Sequence, residues 1–254
     1  MRASQCIAVI VPAFNEERLI ESTLRGMPPW VDRIVVIDDA STDATAARAQ
    51  DAAQSDGRIL LCRHAHNRGV GAALKTGYCA AAQDGADVIA VMAGDGQMDP
   101  ADLPALLEPI LSGAADYTKG NRLAHGAVRR AMPRARLIGN RTLSWLTRVA
   151  LGVRVQDSQC GYTAISSAAL ARLPLDALWE GYGYPNDLIA RLAESGARLR
   201  DVTVRPVYAS EISGIGLRHA LGVIPFVIAR ACLRRVLPPV PGRARLSPAS
   251  LEGK

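Results

Sequence analysis

No two cysteines in this sequence stand in a Cys-x-x-Cys spacing, so the usual zinc-ribbon and dithiol redox patterns are missing. The five that occur, Cys6, Cys62, Cys79, Cys160 and Cys232, are far apart and read as buried thiols in a reducing compartment. No apolar run reaches the roughly 20 residues that a membrane-spanning helix needs. The longest, Ala220 to Ala229, contains Pro225 and is followed by Arg230. The earlier run Cys6–Val11 is too short for a signal peptide and ends at Pro12, so a buried strand is expected there. Aromatic residues make up only 4% of the chain and no nucleic-acid recognition motif is present, so no nucleic-acid partner is expected. No Gly-x-Gly-x-x-Gly follows the first apolar run, and the Gly-rich Lys-Ser/Thr loop of P-loop NTPases is absent. A dinucleotide-dependent oxidoreductase and a P-loop NTPase are disfavoured accordingly. A nucleotidyltransferase would be expected to carry a Gly/Arg-rich loop after the first strand, and that is missing too.

What is present is an ordinary folded composition, 49% apolar and 21% charged over 254 residues, enough for one large α/β domain. In the first half, short β-rich apolar runs alternate with helical segments, the pattern of a mainly parallel sheet covered by helices. Strands are expected at Cys6–Val11, Arg33–Ile37, Ile59–Arg63 and Asp87–Met92, with helices at Glu16–Met27, Thr42–Ser55 and Gly69–Gln83. A fourth helix should begin at Asp99-Pro100, where Asp caps and Pro suits the first turn. The second half is less regular. It suggests two helical pieces within Lys119–Gln156, a strand at Cys160–Ile165, a helix at Asn186–Ser195 and a strand at Arg198–Val207. Helix on both sides of Pro225 over Ile212–Leu237, and then a flexible tail, complete the expectation.

Charge is distributed unevenly. The net charge is +6, yet Tyr117–Gln156 holds nine Lys or Arg and no acid, and Ile212–Leu251 six Arg and no acid. The remaining residues carry 15 basic against 24 acidic side chains, a net −9. Local basicity of this kind suits surfaces that meet anions.

In a parallel sheet, ligands sit beyond the C-terminal ends of the strands, which directs attention to four loops. After the first strand comes Pro12-Ala-Phe-Asn-Glu-Glu17, and after the second Asp38-Asp39-Ala-Ser-Thr-Asp43. A carboxylate there can accept from ribose hydroxyls or a base edge, and Asn15 and Glu16 share the rim; taken singly, such residues usually make turns and caps. The fourth strand delivers Ala93-Gly-Asp-Gly-Gln-Met-Asp99. A departing diphosphate calls for a hard divalent cation with oxygen ligands, for which Asp95 and the Gln97 amide are candidates.

These motifs, in order, resemble those of family 2 glycosyltransferases with the GT-A fold, in the branch of dolichyl-phosphate mannose and polyprenyl-phosphate sugar synthases. The resemblance runs from Ile7 to Tyr208. It rests on Val11-Pro-Ala-Phe-Asn-Glu-Glu17, Val36-Ile-Asp-Asp-Ala-Ser-Thr-Asp43, Asn67-Arg-Gly-Val-Gly71 with Lys75, Gly94-Asp-Gly-Gln97, Lys119-Gly-Asn-Arg122 and Asp157-Ser-Gln-Cys-Gly161. It implies a Rossmann-like, mainly parallel α/β sheet with helices on both faces over residues 1–210. A basic amphipathic helical extension would follow over 211–240, and a flexible tail over 241–254. It implies a metal-dependent, inverting hexosyltransferase with a GDP- or UDP-linked donor. Pro12, Phe14, Glu16 and Asp39 would hold the nucleotide, with Asn15, Asn67 and Lys75 on the same donor site. Asp95 and Gln97 would hold Mg²⁺ or Mn²⁺, and Arg122 would lie beside the acceptor or diphosphate. The family's metal motif is Asp-x-Asp, and Ala93 occupies its first position here. That departure keeps a catalytically silent nucleotide-sugar-binding scaffold as an alternative.

Asp157 and Asp187 are the candidates for acid–base work, which a hydroxyl acceptor needs and an anionic polyprenyl phosphate does not. Structurally, either Asp can simply cap a helix or pair with an Arg, and for Asp187 catalysis and capping are equally good readings. His64 and His66 lack an acidic or Cys partner in sequence and read as loop residues. Arg134 and Arg136, within the acid-free stretch, are expected to meet an anionic lipid or polyprenyl phosphate acceptor. The alternative is a soluble hydroxyl acceptor. The expected location is cytoplasmic, peripherally associated with the inner face of the membrane, with a helix from Pro225 to Leu237 contributing Phe226 and Leu233.

Overall fold

The computed structural model describes residues 5–207 and 222–236. Seven strands form one mixed sheet in the order β3-β2-β1-β4-β6-β5-β7. They are β1 (Ile7–Ala13), β2 (Arg33–Asp38), β3 (Ile59–Arg63), β4 (Val88–Val91), β5 (Tyr117–Asn121), β6 (Thr163–Ser166) and β7 (Leu199–Thr203). Only β6 runs against its neighbours, pairing antiparallel with β4 and β5. The described helices are α1 (Ile20–Arg25), α2 (Thr45–Ser55), α3 (Val70–Gln83), α4 (Leu103–Leu111), α5 (Val128–Ala131), α6 (Arg134–Leu151), α7 (Ser167–Leu170), α8 (Tyr184–Glu194) and α9 (Ile224–Val236).

The central strands are buried on both faces, which is why they read as continuous apolar runs. Successive side chains alternate between two cores. Val9, Val11, Ile34 and Val36 face α1, α2 and α4 through Ile20, Leu24, Ala49 and Leu103. Ala8, Ile10, Val35 and Ile37 face α3 and α8 through Leu74, Tyr78, Leu188 and Leu192. Asp99 caps the turn ahead of α4, accepting from the Ala101 amide at 2.8 Å. The first helix is shorter than expected: the chain turns through Glu17–Leu19 before α1 begins at Ile20.

Two differences from the sequence expectation matter for the site. Tyr117–Asn121 is a strand inside the sheet, although Tyr-Thr-Lys-Gly-Asn lacks an apolar run; all five residues are buried. And α9, for which the sequence leaves membrane contact and packing on the protein itself equally open, packs on the domain. Ile224, Val227, Ile228 and Ala231 are fully or nearly fully buried, and they pack with residues of α6 and α8. Pro225 sits in its first turn, where a missing N–H costs nothing. The helix expected before Pro225 and the tail from residue 241 lie outside the described residues.

Candidate active site

The C-terminal ends of β1, β2 and β4 open on one cleft of about 550 Å³. It is lined by Pro12, Phe14 and Glu16 from the β1 loop, Asp39 from the β2 loop, Asn67 from the β3 loop, and Asp95 and Gln97 from the β4 loop. Arg136 of α6 also lines it. Eight of the residues expected from sequence are thus brought together. Asn15, Lys75, Arg122, Arg134, Asp157 and Asp187 are not among the lining residues.

The rim is built by loops that fasten one another. Asn15, with φ 57°, accepts from the Thr42 amide through its side chain at 2.9 Å, and its own amide donates to Ser41 Oγ at 2.9 Å. Asn15 therefore joins the first two loops from beside the cleft. Asp39 is 4% exposed and accepts from the Gly69 amide at 2.7 Å and the Arg68 amide at 2.9 Å. His64 Nδ1 lies 2.6 Å from the same carboxylate, and its Nε2 lies 2.9 Å from Thr76 Oγ1. Asp39 thus shapes the loop that carries Asn67. Phe14 is 44% exposed, an apolar ring presented at the cleft.

After β4 the chain turns through Gly96 at φ 68°, and the Gln97 amide donates to Asp95 Oδ1 at 3.0 Å. One carboxylate and one amide oxygen at the same loop are hard donors. With phosphate oxygens and water completing the shell, they suit Mg²⁺ or Mn²⁺, which commonly binds through one or two carboxylates plus phosphates. Among the described residues no cluster of three or more His, Cys, Asp or Glu could hold a metal by itself. The donor set therefore fits a cation that arrives with its nucleotide.

Sequence reasoning did not find the opposite wall, Gly181–Pro185 with Gln159. The Gly-Tyr-Gly-Tyr-Pro run was its only local signal. Packing brings the wall into place: the Gly71 amide at the start of α3 donates to Glu180 O at 2.7 Å. A Cβ on Gly71 would lie 2.1 Å from Trp179 O, so only glycine permits this approach. From the other side, Phe226 of α9 meets the Trp179 ring edge-on at 6.0 Å, and Arg230 lies over it at 5.7 Å.

The two candidate bases lie outside the cleft lining, and each is paired with arginine. Asp187 is fully buried in the first turn of α8 and accepts from Arg191 Nε at 2.8 Å, Arg234 Nη1 at 2.8 Å and the Trp179 amide at 3.0 Å. Burial pushes its carboxyl up, but Arg191 and Arg234 outweigh that and hold it below the ordinary carboxylate range. It is a tie between α8, α9 and the cleft wall. Asp157 is likewise fully buried and forms a two-pronged pair with Arg122, Nε to Oδ2 at 2.8 Å and Nη2 to Oδ1 at 3.0 Å. Lys75 pairs with Asp176 at 2.8 Å and is not among the residues that line the cleft. Arg134 is exposed at the start of α6. Behind the Arg122–Asp157 pair, Lys119 is 1% exposed. Burial, countered by nearby Cys160 and Asp157, brings its ammonium down to about 8, and burial lifts the Asp201 carboxyl to about 6.

A mixed sheet in this order, with a cleft at the ends of its parallel strands, defines a GT-A α/β fold. Residues 8–174 match the model of Glycosyl transferase family 2, and the chain belongs to that family. It is 32% identical over 230 residues to a polyprenol monophosphomannose synthase of Mycolicibacterium smegmatis, covering 87% of this chain and 86% of that protein. To an undecaprenyl-phosphate mannosyltransferase of Micrococcus luteus it is 31% identical over 216 residues, covering 82% and 88%. Among solved structures, glucosyl-3-phosphoglycerate synthase of Mycobacterium tuberculosis superposes with a TM-score of 0.67 at 25% identity, over 90% of this chain and 80% of that one. The protein is a glycosyltransferase that uses nucleotide-sugar donors.

Proposed function

We propose that this protein transfers a hexose from a GDP- or UDP-linked donor to a polyprenyl phosphate at a membrane surface, with Mg²⁺ or Mn²⁺ at Asp95 and Gln97. The observation that carries the acceptor assignment is the state of Asp157 and Asp187. A hydroxyl acceptor needs a base to become nucleophilic, whereas a phosphate is anionic already. The two carboxylates expected from sequence to act as bases are both buried in ion pairs with arginine. Relatives named for polyprenol and undecaprenyl phosphate support the same acceptor class.

On this reading Phe14 packs on the nucleotide base, and Asp39 sets the loop that presents Asn67 to the nucleotide. The cation neutralises charge on the departing diphosphate. Arg136 faces the phosphate of the acceptor from inside the cleft. The outer side of the same helix carries Ile138, Trp145 and Val149, each more than half exposed, with Arg134 and Arg141 exposed beside them. On α9, Phe226 and Leu233 are exposed as well. Apolar and basic side chains on one surface suit anionic lipid headgroups, and among the described residues no helix is long and apolar enough to cross a membrane.

The test is transfer itself. With Mn²⁺, a panel of GDP- and UDP-hexoses and undecaprenyl phosphate, one donor should yield a lipid-linked sugar. Chelation or Asp95→Asn should abolish it without lowering the melting temperature. Nucleotide release that ignores the lipid phosphate but responds to a soluble alcohol would reverse the acceptor assignment.

A further inference from the structure

Behind the cleft, five neutral polar side chains form a network from α6 to α8. Ser144, Thr147, Ser158 and Asn186 are buried, the last two and Thr147 completely. Thr147 Oγ1 donates to Leu143 O at 2.8 Å, so it can only accept from Asn186, whose Nδ2 lies 2.6 Å away. That fixes the Asn186 amide with Oδ1 turned towards Gln159. Gln159 Nε2 in turn donates to Asn186 Oδ1 at 3.2 Å and to Ser158 Oγ at 2.9 Å. Ser158 is itself held by Ser144, whose Oγ accepts from the Ser158 amide at 3.0 Å. A closed network of this kind rigidifies its members and sets their polarity. Its outcome is one amide of known orientation. Gln159 lines the cleft, its nitrogen is used by the protein, and its Oε1 accepts from no group among the described residues.

That oxygen opens on the same cleft as Asp95 and Gln97, the residues proposed above to hold the cation. β4 and β6 are antiparallel with Val91 opposite Thr163. The loop after β4 and the loop before β6 therefore leave the sheet at the same edge, and both line the cleft.

We propose that Gln159 is a specificity-determining residue whose Oε1 accepts a hydrogen bond from a hydroxyl of the donor hexose. The inference rests on the donor and acceptor classes proposed above. A carbonyl oxygen needs a partner that donates. The diphosphate has only acceptor oxygens, a polyprenyl phosphate near neutral pH is chiefly an acceptor, and the nucleotide base and ribose belong at the Phe14 and Asp39 end. The hexose hydroxyls are the remaining donors. A site built to hydrogen-bond one hydroxyl also discriminates against sugars that lack or misplace it, because a buried partner is then left unmet.

Equilibrium binding tests this without any acceptor. Wild type, Gln159→Leu and Gln159→Glu are titrated, with Mn²⁺ in excess, with UDP and UDP-glucose and with GDP and GDP-mannose. Gln159→Leu should bind the diphosphates within about twofold of wild type and the preferred nucleotide-hexose about tenfold more weakly, the effect of one lost hydrogen bond. Gln159→Glu keeps an accepting oxygen but loses the nitrogen that Ser158 and Asn186 hold, so it should retain only part of that affinity. A deoxy donor that lacks the contacted hydroxyl should bind wild type and Gln159→Leu alike. Equal loss for diphosphate and nucleotide-hexose would overturn the inference in favour of a metal or structural role. So would a wild type that binds nucleotide-hexose no differently from diphosphate, or a Gln159→Leu that binds every donor as wild type does. A wild type that passes these binding tests but transfers nothing to undecaprenyl phosphate would overturn only the acceptor assignment.

Discussion

Replacing Asp187 with asparagine separates a catalytic base from a structural tie. The carboxylate is fully buried and serves Arg191, Arg234 and the Trp179 amide at once. Asparagine keeps the volume and one accepting oxygen, but leaves Arg191 without its counter-charge and Arg234 with only Glu194, at 3.6 Å. Removing one partner of a buried ion pair costs about 3–5 kcal/mol. Arg234 is 25% exposed, so water recovers part of the loss and the lower end of that range applies. For a chain of this size, each kcal/mol moves the midpoint by about 2–4 °C, so Asp187→Asn should melt roughly 6–12 °C below wild type at pH 7. The gap should depend on pH in one direction. The folded carboxyl titrates below its unfolded value near 3.9. Its contribution is therefore complete above that value and is lost as pH falls through the folded one, so the two melting curves should converge below about pH 4. Calorimetry from pH 3 to 8 reads this directly, and turnover well below the variant's melting point should fall by less than about tenfold. A variant that melts like wild type yet loses about 10² or more in turnover would refute the tie and restore Asp187 as a general base.

Gly71→Ala should force the cleft wall away from α3, because its new methyl would meet Trp179 O. Nucleotide-sugar affinity should drop by at least about tenfold and the melting temperature should fall, both read by titration and thermal shift. Trp145→Ser together with Ile138→Ser should weaken co-sedimentation with phosphatidylglycerol vesicles while leaving nucleotide-sugar binding intact; unchanged, salt-insensitive sedimentation would remove α6 from the membrane surface.

The parts of this protein that can be read from sequence are those whose chemistry and neighbours are local. β1 to β4 announce themselves because strands buried on both faces must be apolar throughout, and the loops after β1, β2 and β4 follow because parallel strands end on one rim. β5 defeats the same reasoning. Lys119 is buried in its middle, and what makes that tolerable is Asp157 and Asp201, which lie 38 and 82 residues further along the chain. Asp187 shows the same limit: a carboxylate at a helix start reads as a cap, a base or the partner of an Arg, and the sequence does not say which Arg, since Arg234 is 47 residues away. The acid-free stretch from Tyr117 to Gln156 shows both sides of this. Lys119 and Arg122 meet carboxylates from outside the stretch and belong to the interior, so their charge is already answered. Arg134 and Arg141 stand exposed on α6 beside Ile138 and Trp145, and it is these, rather than the whole run, that leave positive charge for an anionic surface.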